Sequence, residues 1–93
     1  MNTTRMFIRH DLADYLLWKK HYDDFSSHRK THGVINEFVY QSIDNPNSIT
    51  VIHDFKSIEE AKSFASSEEF KGFIFRSGVK GIYQIWYTRQ SHQ

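Results

Sequence analysis

The chain has 93 residues, no Cys, one Pro, and twelve Lys plus Arg against eleven Asp plus Glu, for a formal net charge of +1. That length gives one domain over residues 1–93 with a modest core; the absence of thiols excludes a disulfide scaffold, a thiolate zinc site, an iron–sulfur cluster and a Cys nucleophile, and the even charge argues against general polyanion binding. No apolar run approaches the roughly 18 residues of a membrane span and Met1-Asn2-Thr3-Thr4-Arg5 has no apolar h-region, so a soluble, cytoplasmic protein with no membrane or nucleic-acid partner is expected.

Residues 5–10 alternate as a strand, with Met6, Ile8 and His10 on one face and Phe7 on the other. Asp11 reads as the N-cap of a helix over residues 12 to about 32, with Asp14 favouring its dipole. Tyr15, Trp18, Tyr22, Phe25 and Arg29 fall in one sector of that helix, flanked by Leu12 and Leu16, and Gly33 suits its end. Residues 34–42 and 48–55 read as two strands joined at Asp44-Asn45-Pro46-Asn47 into a hairpin. Ser57 with Glu60 forms a capping box before Ala61, Phe64 and Ala65, and Ser66 with Glu69 repeats it before Phe70, Phe73 and Ile74. The spacing predicts one helix broken near Ser66-Ser67, or two short helices, ending at Gly78. Residues 81–89 form a last strand, and Ser91-His92-Gln93 is expected to fray. This order gives an α+β fold, the ferredoxin-like βαββαβ arrangement: a four-stranded antiparallel sheet with its helices on one face.

Ile8-Arg9-His10, Trp18, Arg29 with Gly33, Asp44-Asn45-Pro46-Asn47, Phe55, Ala61-Lys62-Ser63-Phe64 with Ser67, and Gly78-Val79 carry a resemblance. Over about residues 5 to 88 the chain resembles the dimeric α/β-barrel superfamily, which includes the antibiotic biosynthesis monooxygenase-like small domains. The resemblance implies the fold, and a choice among cofactorless oxygenation, ring closure, haem degradation or no known reaction. Haem-degrading members hold iron through a His on the second helix; residues 57–78 contain none, so that route is not expected here. Neither haem, flavin nor structural metal is expected.

Lys71-Gly72-Phe73-Ile74-Phe75 resembles an RNA-recognition RNP1 motif, but it falls in an apparent helix rather than on a third strand, and core contacts explain Phe73 and Ile74 better. His28 and His32 have the i, i+4 spacing of a metal pair without a matching carboxylate and beside Arg29 and Lys30, so solvated histidines are the preferred reading. His10 and His53 are expected on the helix-facing side of two adjacent central strands, beneath Trp18 and Tyr22. With Tyr22 they are the candidate catalytic residues, a buried His beside a Tyr being a potential base; hydrogen-bonded core histidines are the plainer alternative. Trp18, Arg29 and Phe64 are the candidate ligand contacts, as aromatic walls and an anion partner. The plainer readings are core packing for the aromatic residues and, for Arg29, pairing with an acid such as Glu37.

The face opposite the helices is expected to carry Phe7, Phe38, Tyr40, Ile52, Ile82 and Trp86 among Arg9, Asn36, Thr50 and Gln84. That is too apolar for open water, so a homodimer is expected, the two sheets face to face and closed into an α/β barrel. Three functions stay open: a cofactor-independent monooxygenase- or cyclase-like enzyme on a small aromatic or polyketide-like substrate, a non-catalytic binder of a small hydrophobic or aromatic ligand, and a structural homodimer. A void of roughly 300 Å³ or more between sheet and helices would favour a ligand.

Overall fold

A computed structural model describes residues 3–91; the expected fraying at His92 and Gln93 lies outside them. Strands β1 (Thr4–Leu12), β2 (Asn36–Gln41), β3 (Ser48–Phe55) and β4 (Val79–Thr88) form one sheet in the order β2-β3-β1-β4, antiparallel throughout. Helices α1 (Tyr15–Asp24), α2 (Ser26–Thr31), α3 (Ile58–Ala65) and α4 (Glu68–Arg76) cover one face. This is the expected α+β ferredoxin-like arrangement. Among the described residues no helix is long and apolar enough to cross a membrane.

The two central strands set the core. Met6, Ile8, His10 and Leu12 of β1 and Ile49, Val51, His53 and Phe55 of β3 are buried beneath the helices. Trp18 and Tyr22 of α1, Phe64 of α3, and Phe70 and Phe73 of α4 close over them. Phe73 is therefore a core residue inside α4, as the non-RNA reading of its motif requires.

Several boundaries differ from expectation. Asp11 caps no helix: it stays in β1, paired with Ser48 and Lys80, and Leu12 pairs with Val79. The α1 terminus is satisfied from the hairpin turn instead, where the Asn47 side-chain oxygen accepts the Tyr15 N–H at 2.9 Å. The single helix expected to about residue 32 is two. The Tyr22 carbonyl, which a continuing helix would offer to the next turn, accepts from the Arg29 guanidinium and from the Phe25 N–H. Leu16, expected to flank the apolar sector, is 75 % exposed. The second helical region is two short helices that break at Ser66-Ser67, as expected, but the cap is one residue later than the repeat suggested: the Ser67 hydroxyl, not that of Ser66, accepts the Phe70 N–H at 3.1 Å. Finally, β2 begins at Asn36 and β4 at Val79.

Among the described residues, no helix packs over the opposite sheet face. Phe38, Ile52, Phe7 and Trp86 lie in register across all four strands, with Phe7 and Trp86 stacked at 5.2 Å. Phe38 and Trp86 are each 41 % exposed and Tyr40 57 %. Arg5 forms a two-pronged ion pair with Asp54 at 2.8 and 3.0 Å and lies over the Phe38 ring. The register between β1 and β4 shifts between Arg9 and Asp11. Ile82 sits in that irregularity, 98 % exposed, beside Gly81, whose φ of +68° is left-handed.

Candidate functional site

The site lies where α1, α2 and α4 meet the centre of the sheet. Its rim and walls are His10, Trp18, Tyr22, Arg29, His53 and Phe64, joined by Ile8, Phe25, Val51, Phe70 and Phe73. All six sequence candidates therefore line one interior space. Helical spacing puts Trp18 and Tyr22 on the same side of α1, and their rings stack at 4.7 Å. Strand alternation aims His10 and His53 at those rings from below.

Tyr22 and His53 form the central polar contact, with Oη and Nε2 2.9 Å apart in a buried setting. Burial pushes the Tyr22 phenol well above its usual range. Burial, reinforced by the Arg29 charge, lowers the His53 imidazole to about 3. Both groups are thus neutral near pH 7. In one arrangement the phenol donates to Nε2 and the ring proton sits on Nδ1; in the other, Nε2–H donates to the phenol and Nδ1 is an acceptor. Burial also lowers His10 to about 4.

Two histidines on one face do not make a dyad. His53 is opposite Met6 and His10 opposite Ile49, a spacing of four residues along the strand, or about 13 Å. His10 instead stands against Trp18 and Tyr83, ring centres 6.1 and 5.9 Å away. His10 Nδ1, Trp18 Nε1 and His53 Nδ1 are all buried without a hydrogen-bond partner. An unmet buried polar group costs about 1–3 kcal/mol, so three such nitrogens on residues that surround one space are an unusual concentration.

Arg29 pairs with Glu37, as the plainer of its two readings anticipated. Its Nε and Nη2 donate to the Glu37 carboxylate, another donor goes to the Tyr22 carbonyl, and the guanidinium lies 3.6 Å from the Tyr22 ring centre. It holds the site's wall in place. The interior void measures about 10 Å³, room for about one water, and falls short of the size expected for a preformed ligand pocket.

Sequence reasoning missed Phe73 as a wall, although it stacks on Phe25 at 5.0 Å. It also missed the carboxylate missing from the His28 and His32 pair. Glu69 of α4 brings one ligand-capable atom to within 4.8 Å of one from each histidine. Nor are these histidines simply solvated: His28 Nε2 and His32 Nδ1 are buried and unpartnered. Burial first, then the neighbouring His32, lowers the His28 imidazole.

No protein-family model and no curated protein matches the sequence. Solved structures do match over nearly the whole chain. An antibiotic biosynthesis monooxygenase-like protein from Bordetella bronchiseptica superposes with a TM-score of 0.85 at 10 % identity, covering 99 % of this chain and 100 % of its own. This chain has the antibiotic biosynthesis monooxygenase-like fold. A protein of the same kind from Caulobacter crescentus gives 0.79 at 14 % identity over 98 % of this chain and 92 % of its own. SnoaB from Streptomyces nogalater, a cofactor-independent oxygenase, gives 0.70 at 11 % identity over 97 % and 95 %.

Proposed function

We propose that the chain is a homodimeric, cofactor-independent enzyme of the oxygenase or cyclase kind that acts on a small planar aromatic or polyketide-like substrate. The observation that carries this is the buried Tyr22–His53 pair in an aromatic-walled interior with three unpartnered nitrogens. A substrate inserted between Trp18, Phe64 and Phe73 would stack on rings and give the His10, Trp18 and His53 nitrogens the partners they lack. In the tautomer with Nε2–H on Tyr22, His53 Nδ1 accepts a proton from an acidic C–H or O–H of that substrate once opening of the walls relieves the burial that holds the imidazole low. Tyr22 then stabilises the resulting imidazolium by accepting its Nε2–H. An electron-rich carbanion formed this way either closes a ring or passes electrons to O2; for an anthrone-type CH2, O2 supplies the new carbonyl oxygen and the second oxygen leaves as water.

Entry requires the walls to part, and the boundary between α1 and α2 at Phe25 is the natural place. The six-residue α2 carries Arg29, and Phe25 stacks on Phe73 across the opening. The filled interior favours a second reading, a homodimer whose role is structural. Both readings use the same assembly: the Phe38-Ile52-Phe7-Trp86 row would meet its two-fold copy, burying about 1,500 Å² in total.

The test is oxygen uptake and product formation with a panel of anthrones, naphthols and quinols, alongside equilibrium binding of each compound. The enzyme reading expects turnover that His53→Gln or Tyr22→Phe reduces at least about 100-fold. Binding without turnover would reduce the assignment to a binder. Neither binding nor turnover across the panel would leave the structural homodimer.

A further inference from the structure

At the contact between α2 and α4, His28 and His32 stand one helical turn apart with ring centres 3.9 Å from each other. Their rings rest on apolar ground: His28 is 4.5 Å from the Phe25 ring and 5.9 Å from Phe64, and His32 is 6.3 Å from Phe64. Each ring leaves one nitrogen buried with nothing to bond to. Two such orphans cost more than an ordinary surface pair of histidines would. Glu69, in the first turn of α4, presents an exposed carboxylate to the same point, and all three donor atoms lie within 4.8 Å of one another.

The cations beside the pair do not oppose a metal. Arg29 directs its guanidinium to Glu37 and the Tyr22 carbonyl, and the charge of Lys30 acts on Glu37 as well. A second carboxylate is near: the Glu60 oxygens lie about 3.4 Å from where a Cβ of Gly33, the residue after His32, would stand.

We propose that His28, His32 and Glu69 bind a divalent transition-metal ion of the Zn²⁺ class. Two imidazoles and a carboxylate suit Zn²⁺, Ni²⁺ or Cu²⁺ and not Mg²⁺ or Ca²⁺, which take all-oxygen sites. Bonds of about 2.0–2.2 Å put tetrahedral ligand atoms about 3.3–3.5 Å apart, so the site closes by roughly 1.5 Å, a movement within reach of the exposed Glu69 side chain. Three protein ligands leave the fourth position to water. Because the ligands come from two helices, the ion clamps α2 to the start of α4 and holds shut the side of the cleft that Phe25 and Phe73 form.

Chelator-stripped protein without a histidine tag is titrated with Zn²⁺ by calorimetry, and its melting temperature is followed with Zn²⁺ and with Mg²⁺. The expected result is one Zn²⁺ per chain, a melting temperature raised by Zn²⁺ and unmoved by Mg²⁺, and a Co²⁺ complex with visible absorption. Glu69→Gln, at an exposed position, keeps the metal-free melting temperature and weakens Zn²⁺ at least about tenfold. His32→Gln weakens it further, and His21→Gln changes nothing. Two results would overturn the site: no wild-type affinity tighter than about 100 µM, or Glu69→Gln and His21→Gln both binding like the wild type.

Discussion

Lowering the pH from 7 to 4.5 protonates His10 and His53 in the unfolded chain but not in the folded one. Each side chain is only 2 % exposed, and burial brings them from 6.5 to about 4 and about 3. A depressed histidine pKa means that the unfolded state binds more protons. Stability is then present in full above the unfolded value of 6.5 and is lost as pH falls towards the folded values. Each group contributes a slope of about 1.4 kcal/mol per pH unit, so the two together give about 2.7. Between pH 6.5 and 4.5 the loss is about 5 kcal/mol, against a total stability of about 5–14 kcal/mol for a chain of this size. His28, also lowered by burial, acts in the same direction. So do two carboxylates at the acid end: Asp54, held down by its Arg5 hydrogen bond, and Glu37, where burial pulls upward but the Arg29 hydrogen bond and charge prevail. The assay is urea unfolding followed by Trp fluorescence at pH 7, 6, 5 and 4.5, at fixed protein concentration. His10→Gln and His53→Gln should each lower the slope by about 1.4 kcal/mol per pH unit, whatever they cost at pH 7. A wild-type midpoint that is flat from pH 7 to 5, or variants that keep the full slope, would refute the reasoning.

The Arg29–Glu37 pair should be asymmetric. Glu37→Ala strands a guanidinium that is 2 % exposed and should cost about 3 kcal/mol, whereas Arg29→Met leaves a carboxylate 38 % exposed to relax into water and should cost less; urea midpoints in the reverse order would contradict this. Trp86→Asp should leave a monomer of about 11 kDa by light scattering, because a desolvated carboxylate in the proposed interface costs several kcal/mol; an unaffected dimer would put the contact on the helices or a sheet edge. Ser67→Ala should lower stability by about 1 kcal/mol through loss of the cap on Phe70, and Ser66→Ala by clearly less; equal effects would mean that the junction between α3 and α4 lies where the sequence repeat placed it.

What was legible in the sequence was what period alone decides. The alternation of Met6, Ile8 and His10 and of Val51, His53 and Phe55 assigned the faces of the two central strands, and the spacing of Trp18 and Tyr22 set rings above them. What was not legible came from contacts between distant residues. Helix α1 ends where it does because Arg29 takes the Tyr22 carbonyl, and it begins where it does because Asn47 reaches across from the hairpin. Glu69 meets His28 and His32 only once α4 is packed on α2. The polar walls of the cleft were found, but the near absence of free volume inside was not, since packing density has no signature in composition.

The open face is the informative exception, because a bulge could have reversed it. A slip of one residue exchanges every side chain of a strand between faces. The irregularity between β1 and β4 takes Phe7↔Trp86 and Arg9↔Gln84 to Asp11↔Lys80 and Leu12↔Val79. The partner numbers sum to 93 before it and to 91 after it, an even shift, so the alternation survives. Trp86 and Gln84 stay on the open side, Tyr83, Ile85 and Tyr87 pack against the core, and the extra length is taken up at Gly81 and Ile82. The apolar row that the homodimer proposal needs is therefore continuous from β2 to β4, and Ile82, standing clear of the sheet, lies at its margin rather than within it.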